Sequence, residues 1–324
     1  MTRHILFASL TALLLAASCT HRGYETFTGY AQGGTYQVKA NLEGVSIPHN
    51  TIAAAIDSLL EGIDFSISGY NRSSILSRRN AGEDISPDRY FSELMELSEK
   101  YKELSGGAFD VCSGPLFDIW GFGFTSDSLP PDDAIQKAMQ DCRDGKVLNF
   151  NAIAQGYSCD VIAGYLHSIG VKDMLVDIGE IYCDGLNPSG RGWTIGVDNP
   201  VDGNNSPGKD LKGIWHSDGS GCGIVTSGNY RKFYIKDGKK YAHTIDPRTG
   251  YPVQHNLLSA TVVAPTAAEA DALATACMVL GAEDARSLIE SLDGVEAIWL
   301  FPDGTKEMTD GAAKIAKSRG ATNN

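Results

Sequence analysis

Between Met174 and Ala264 the chain carries five strand-like runs in succession: Met174–Ile178, Trp193–Val197, Gly223–Thr226, Phe233–Ile235 and Leu257–Ala264. Strands that follow one another in this way join by hairpins and short returns. They do not supply the helical crossovers of a doubly wound parallel sheet. Further strand signals stand at Thr35–Ala40, Lys146–Phe150 and Val295–Leu300. Helical spacing predicts helices over Asn50–Gly62, over Pro87–Leu104 with Ser86 as cap, over Pro131–Cys142, and over Ala154–Ile169 closed by Gly170. The expected fold is α+β, with mixed sheets and helices packed on them. The Gly- and Asn-rich stretch Val201–Gly208 reads as a flexible insertion.

The first residues read as an address. Arg3 and His4 precede an apolar run, Ile5–Ala17, too short for a permanent membrane span. Leu15-Ala16-Ala17-Ser18-Cys19 resembles a bacterial lipobox, which implies cleavage before Cys19 and a lipid on that cysteine. An ordinary signal peptide cut nearby is the alternative. The expected organisation is a signal peptide over 1–18, a lipidated tether over 19–25, one domain over 26–316 and a flexible tail over 317–324. The expected location is exported and lipid-anchored on the inner membrane, facing the periplasm. A net charge of −13 without basic runs argues against a nucleic-acid partner and against a polybasic membrane surface. Besides Cys19 the cysteines are Cys112, Cys142, Cys159, Cys183, Cys222 and Cys277, with no zinc-type spacing; free buried thiols are expected.

Four stretches carry chemistry. In EADALATA, Thr266 and Glu269 form a capping box, so the helix starts near Thr266 and Asp271 stands in its second turn. Thr275 follows four residues later on the same face, giving two oxygen ligands suited to Mg²⁺ completed by substrate phosphates. A solvated aspartate with Thr275 bonded back to a carbonyl explains the same spacing. In Asn149–Asp160 a strand is expected to end and a helix to begin, leaving N–H groups for an anion such as a pyrophosphate. His243 precedes the turn Asp246-Pro247-Arg248-Thr249-Gly250 and could accept a hydroxyl proton, or simply pair with Asp246 or the backbone. Gly106-Gly107 before Ala108-Phe109-Asp110 would permit close approach of a flat ligand, with Phe109 and Trp120 as candidate stacking rings, although Trp120 reads better as core.

Together and in this order, these motifs closely resemble the FAD:protein FMN transferase family, the ApbE-type flavin transferases. The resemblance also runs through SGYNRSSILSRRN, LVDIGEIYCDG, VTSGNYRKF and HTIDPRTGYP, and covers nearly the whole chain after residue 33. It implies an ApbE-like (T-fold-like) architecture with FAD in a cleft between two intimately joined lobes. By the same resemblance Asp271 and Thr275 fall on Mg²⁺ side-chain ligands, and Ala152 and Ala274 on positions that serve the metal through the backbone. Gly33, Tyr70, Ala108, Phe109, Asp110, Asn149, Gln155 and Ile245 fall on FAD-contacting positions, and His243 on the histidine of the transfer step. The implied reaction is Mg²⁺-dependent transfer of FMN from FAD to a Ser or Thr hydroxyl of a partner protein, a membrane redox-complex subunit, with release of AMP. A Mg²⁺-dependent FAD pyrophosphatase and a non-catalytic flavin-binding lipoprotein are the rivals. Asn149, Gln155, Glu180 and Gly33 depart from the residues usual in the family.

Overall fold

The structure, a computed structural model, describes residues 23–122, 129–198, 211–229, 233–236 and 239–317. The leader, Cys19, the Val201–Gly208 stretch and the tail from 318 lie outside these residues. Two strands open the chain, β1 (Tyr24–Ala31) and β2 (Gly34–Asn41), followed by α1 (His49–Ile67), α2 (Ile75–Asn80) and α3 (Arg89–Leu104). Next come α4 (Gly114–Ile119), α5 (Asp132–Arg143) and α6 (Ala154–Ser168). The strand-rich middle holds β3 (Met174–Asp177), β4 (Ile181–Asp184), β5 (Thr194–Asp198), β6 (Leu211–His216), β7 (Cys222–Gly228), β8 (Phe233–Lys236), β9 (Lys239–Ala242) and β10 (Ser259–Ala264). The chain closes with α7 (Ala267–Leu280), α8 (Ala282–Glu290), β11 (Glu296–Leu300), β12 (Lys306–Met308) and α9 (Asp310–Lys317).

Eight strands form one sheet in the order β1-β2-β3-β4-β7-β10-β11-β12, and every neighbouring pair is antiparallel. The α+β expectation from consecutive strands is borne out. β5–β6 and β8–β9 form separate two-stranded ribbons. One face of the large sheet carries α1, α6 and α7, where Val38, Val176, Val225 and Val262 meet Ile56, Ile162 and Leu273. The other face is covered by Trp193, Ile195 and Trp215 of the β5–β6 region and by Ala312 of α9. With both faces covered, β10 is buried at every residue, and its small and β-branched sequence SATVVA fits such a slot. A smaller core of Leu116, Trp120, Ile135, Ala138, Cys142 and Ile245 holds α4 and α5 to the segment after β9. This second core makes the smaller lobe.

Several local expectations are corrected. Lys146–Phe150 belongs to no sheet: the Asn80 side chain pairs with Leu148 N and O, and Asn149 N donates to Val111 O. Helix α3 is capped by Asp88, whose carboxylate accepts from Phe91 N, and not by Ser86. β1 begins at Tyr24, inside the stretch expected to be tether. Among the described residues all six cysteines are free, and Cys222 alone of them is not fully buried. No described helix is long and apolar enough to cross a membrane.

Candidate functional site

Helix α7 is apolar all round except at Glu269, Asp271 and Thr275, and 11 of its 14 residues are buried, so tertiary packing sets its position. Its first turn is fully satisfied. Thr266 Oγ1 accepts from Glu269 N, as the capping box requires, and Thr266 O accepts from Ala270 N. The Glu269 carboxylate is drawn to Lys100 Nζ at 3.7 Å, so the box is half realised. The two remaining donors, Ala267 N and Ala268 N, are taken by Asp160 of α6, at 2.8 Å each.

Asp271 returns the arrangement. Its Oδ2 accepts from Gly156 N at 3.1 Å, in the first turn of α6, which has no side-chain cap of its own because Ile153 stands at the cap position. Each helix therefore supplies the carboxylate that closes the other's N-terminus. The close crossing depends on glycine: a Cβ on Gly156 would lie 2.3 Å from Ala267 O and 2.9 Å from Asp271 Cβ. Asp271 is 5% exposed, which rules out the solvated-face explanation of its spacing. Burial pushes its carboxyl up to about 7, against the opposing pull of the Gly156 N–H, and the neighbouring Asp160 charge adds to the rise. Burial likewise lifts Asp160 to about 6, held down in part by the Ala268 and Ala267 amides.

These helix starts form one wall of a cavity of about 380 Å³ between the two lobes. Ala152 and Gln155 line it from the start of α6, and Asp271, Thr275, Met278 and Val279 from α7. In the first turn of α6, Ala154 N is taken by Phe150 O and Gly156 N by Asp271, and among the described residues Gln155 N has no acceptor. The opposite wall holds Ala108, Phe109, Asp110 and Phe122 together with His243, Thr244 and Ile245. A second cavity of about 350 Å³ shares Tyr70, Asp118, Asn149 and Asn151 with the first. Tyr70 is 70% exposed and stands at the rim.

The histidine segment is braced from three sides. Thr244 is buried and donates to Asn229 Oδ1. Asp246 is clamped by Arg248 Nε and Nη2 at 2.9 and 2.8 Å, a bidentate pair that fixes the turn after His243. Behind it the rings of Phe122, Tyr234, Tyr241 and Trp120 stack in sequence, with centroids 5.3, 5.3 and 5.9 Å apart. Trp120 is buried and donates Nε1–H to Gly250 O, so it is core, as its setting suggested. Phe109 lines the cavity but is 1% exposed and packs edge-on to Tyr101, so it is part of the wall and no free stacking platform. Gly106 has φ +58° and Gly107 N reaches back to Lys102 O: the glycine pair ends α3 in a left-handed turn, which explains it without a ligand. Asp110 is held by Lys102 Nζ at 3.0 Å and Cys112 N at 2.9 Å.

Of the residues singled out in the sequence, Tyr70, Ala108, Phe109, Asp110, Asn149, Ala152, Gln155, His243, Ile245, Asp271 and Thr275 line this cavity. Gly33 and Ala274 do not. Gly33 forms the β1–β2 turn, beside Gln32, whose side chain bonds Ser158 Oγ of α6. Ala274 is fully buried within α7. Residues that sequence reasoning passed over include Thr226, Ser227, Met278 and Val279. The last two follow Thr275 by three and four residues, so helical spacing from Thr275 was the signal that could have found them.

A sequence profile of the ApbE family matches residues 33–299. The chain belongs to the ApbE family. Among its ApbE relatives is the FAD:protein FMN transferase of Vibrio cholerae serotype O1, 32% identical over 94% of this chain and 97% of that protein. That of Escherichia coli K12 is 30% identical over 82% and 81%. The flavinyl transferase ApbE of Pseudomonas stutzeri, solved in the apo form, superposes with a TM-score of 0.79 at 30% identity, covering 90% of this chain and 96% of that one. The flavin transferase ApbE from Vibrio cholerae gives 0.77 at 28% identity, over 90% and 99%. The ApbE architecture, two joined lobes around a cleft, is thus shared, and these relatives are enzymes, transferases by name.

Proposed function

We propose that the chain transfers FMN from FAD to a Ser or Thr hydroxyl of an acceptor protein, releasing AMP. The observation that carries this reading is the convergence of His243, Asp271, Thr275 and Gln155 on one cavity, in a chain about 30% identical to FAD:protein FMN transferases.

The donor set fits Mg²⁺. Asp271 and Thr275 supply oxygen only, and among the described residues no cluster of three or more His, Cys, Asp or Glu forms a protein cage. A site with few protein oxygens suits an ion completed by phosphates and water. Asp271 and Thr275 would hold it, with the backbone at Ala152 contributing. Bound there, Mg²⁺ would neutralise negative charge on the pyrophosphate. The chain's own groups do the rest. Gln155 N–H, at the positive end of α6, faces the anion. Tyr70, Asn149 and the Ala108–Asp110 wall bind the rest of the dinucleotide, with Ile245 beneath it. His243 takes the proton of the acceptor hydroxyl as its oxygen bonds the phosphorus that carries riboflavin. The bond from that phosphorus to the bridging oxygen breaks, and AMP leaves with the electron pair.

The acceptor we propose is a subunit of a membrane redox complex, and the enzyme itself is exported and held to the inner membrane by lipid on Cys19. Supporting this address are the apolar leader and the position of Cys19. The test is incubation with FAD, Mg²⁺ and co-expressed candidate acceptors, read as in-gel flavin fluorescence. Covalent flavin that vanishes in Asp271→Ala and His243→Ala supports the reading. AMP and FMN released equally fast without any acceptor would instead make the chain a pyrophosphatase, and FAD returned intact would make it a binding protein.

A further inference from the structure

Cys183 on β4 and Cys222 on β7 face each other directly across an antiparallel pair of central strands. Their sulfurs are 3.8 Å apart, on the sheet face that carries Trp193 and Ile224, away from the helices that build the cavity. Either kind of directly opposed antiparallel pair brings Cα atoms about 4.5–5.5 Å apart, inside the range a disulfide spans. The sulfurs need only close by side-chain rotation to the bond length of about 2.05 Å. Among the described residues no other pair of cysteine sulfurs makes a hydrogen-bond contact.

We infer that Cys183 and Cys222 are a disulfide-forming pair, a covalent staple between β4 and β7. The two thiols are unequal. Cys183 is fully buried, whereas Cys222 is partly exposed. The S–H···S contact between them raises Cys183 and lowers Cys222, so the less buried thiol is the better thiolate. With a low-molecular-weight disulfide as oxidant, the Cys222 thiolate attacks one sulfur, forms a mixed disulfide and expels the first thiolate. The Cys183 thiol, giving its proton to that thiolate, then attacks Cys222 Sγ and expels the second. Two protein thiols become one disulfide, and one small disulfide becomes two small thiols.

The staple closes a long loop, since the two residues are 39 apart in sequence, and such closures stabilise mainly by restricting the unfolded chain. It sits at the end of β4 and β7 remote from the cavity: Glu180 precedes β4 and Thr226–Gly228 end β7, and those residues line the cavity. Oxidation is therefore expected to raise Tm by roughly 5 °C without closing the site. The test treats the native full-length chain with oxidised glutathione and maps peptides by non-reducing mass spectrometry. A Cys183–Cys222 linked peptide, with a Tm rise that dithiothreitol reverses and Cys222→Ala lacks, supports the inference. Glutathione retained on Cys222, free thiols at both positions, or a cross-link between other cysteines overturns it. The readout is covalent and thermal, so it stands apart from whether the chain transfers FMN.

Discussion

At Asp271 burial and the Gly156 N–H pull against each other. In the unfolded chain Asp271 and Asp160 ionise near pH 4, whereas in the folded chain burial holds them at about 7 and about 6. The folded state keeps these protons more tightly. The stability they contribute is full below about pH 4 and is lost as pH rises through 6 and 7. Asp271→Asn, which does not ionise, should remove about 2–4 kcal/mol of the pH dependence between pH 4 and 7 in metal-free chain, measured by urea unfolding. An unchanged slope would remove the carboxyl from this role. A cation needs the ionised form, so the rise in Tm on adding Mg²⁺ should grow with pH, with apparent affinity falling about tenfold per unit below 7. His243→Ala should leave FAD binding near normal and slow transfer by about 10²–10⁴-fold. The sequence made Asp271 legible as an acid in the wrong place. It did not reveal that Gly156 donates to it, because that partner lies 115 residues away and depends on how two helices cross.

At the scale of elements, the crossing of α6 and α7 decides the site. Gly156→Ala would drive a methyl into Ala267 O, with backbone on both sides, and is expected to cost roughly 3 kcal/mol and to displace Asp271 from the cavity. Thermal melting and Mg²⁺ response should fall together; a stable variant with normal activity would show that the crossing tolerates separation. Asp160→Ala strands the Ala267 and Ala268 donors in a buried place and should destabilise by about 2–4 kcal/mol. Helices with strong periodicity, such as α1 and α5, were legible within a few residues. Lys146–Phe150 was not, because its apolar alternation serves a side-chain pairing with Asn80 instead of a strand partner. β1 was missed because YETFTGYA buries only Phe27 at the sheet edge, leaves the rest exposed or half-buried, and lacks a clean alternation.

Over the whole molecule, one sheet links the first strand to the last, so the chain has no dispensable end within the described fold. A chain shortened to begin at Gly34 would lose β1 and bare the edge of β2; light scattering should report association where a chain beginning at Gly23 stays soluble. The sheet's class followed from consecutive strands, but its order did not. β7 inserts between β4 and β10, leaving β5–β6 to cover a face, and only the burial of both faces of β10 reveals why. The reciprocal helix caps also bear on how the molecule is made. When α6 leaves the ribosome its first turn lacks the acceptor that Asp271 will provide more than a hundred residues later, and Asp160 has no amides to hold. Both helix starts must be completed in one late event. The wall that Asp271 and Thr275 give the cavity is thus absent from every unfinished chain, and the cavity is complete only when synthesis has passed α7.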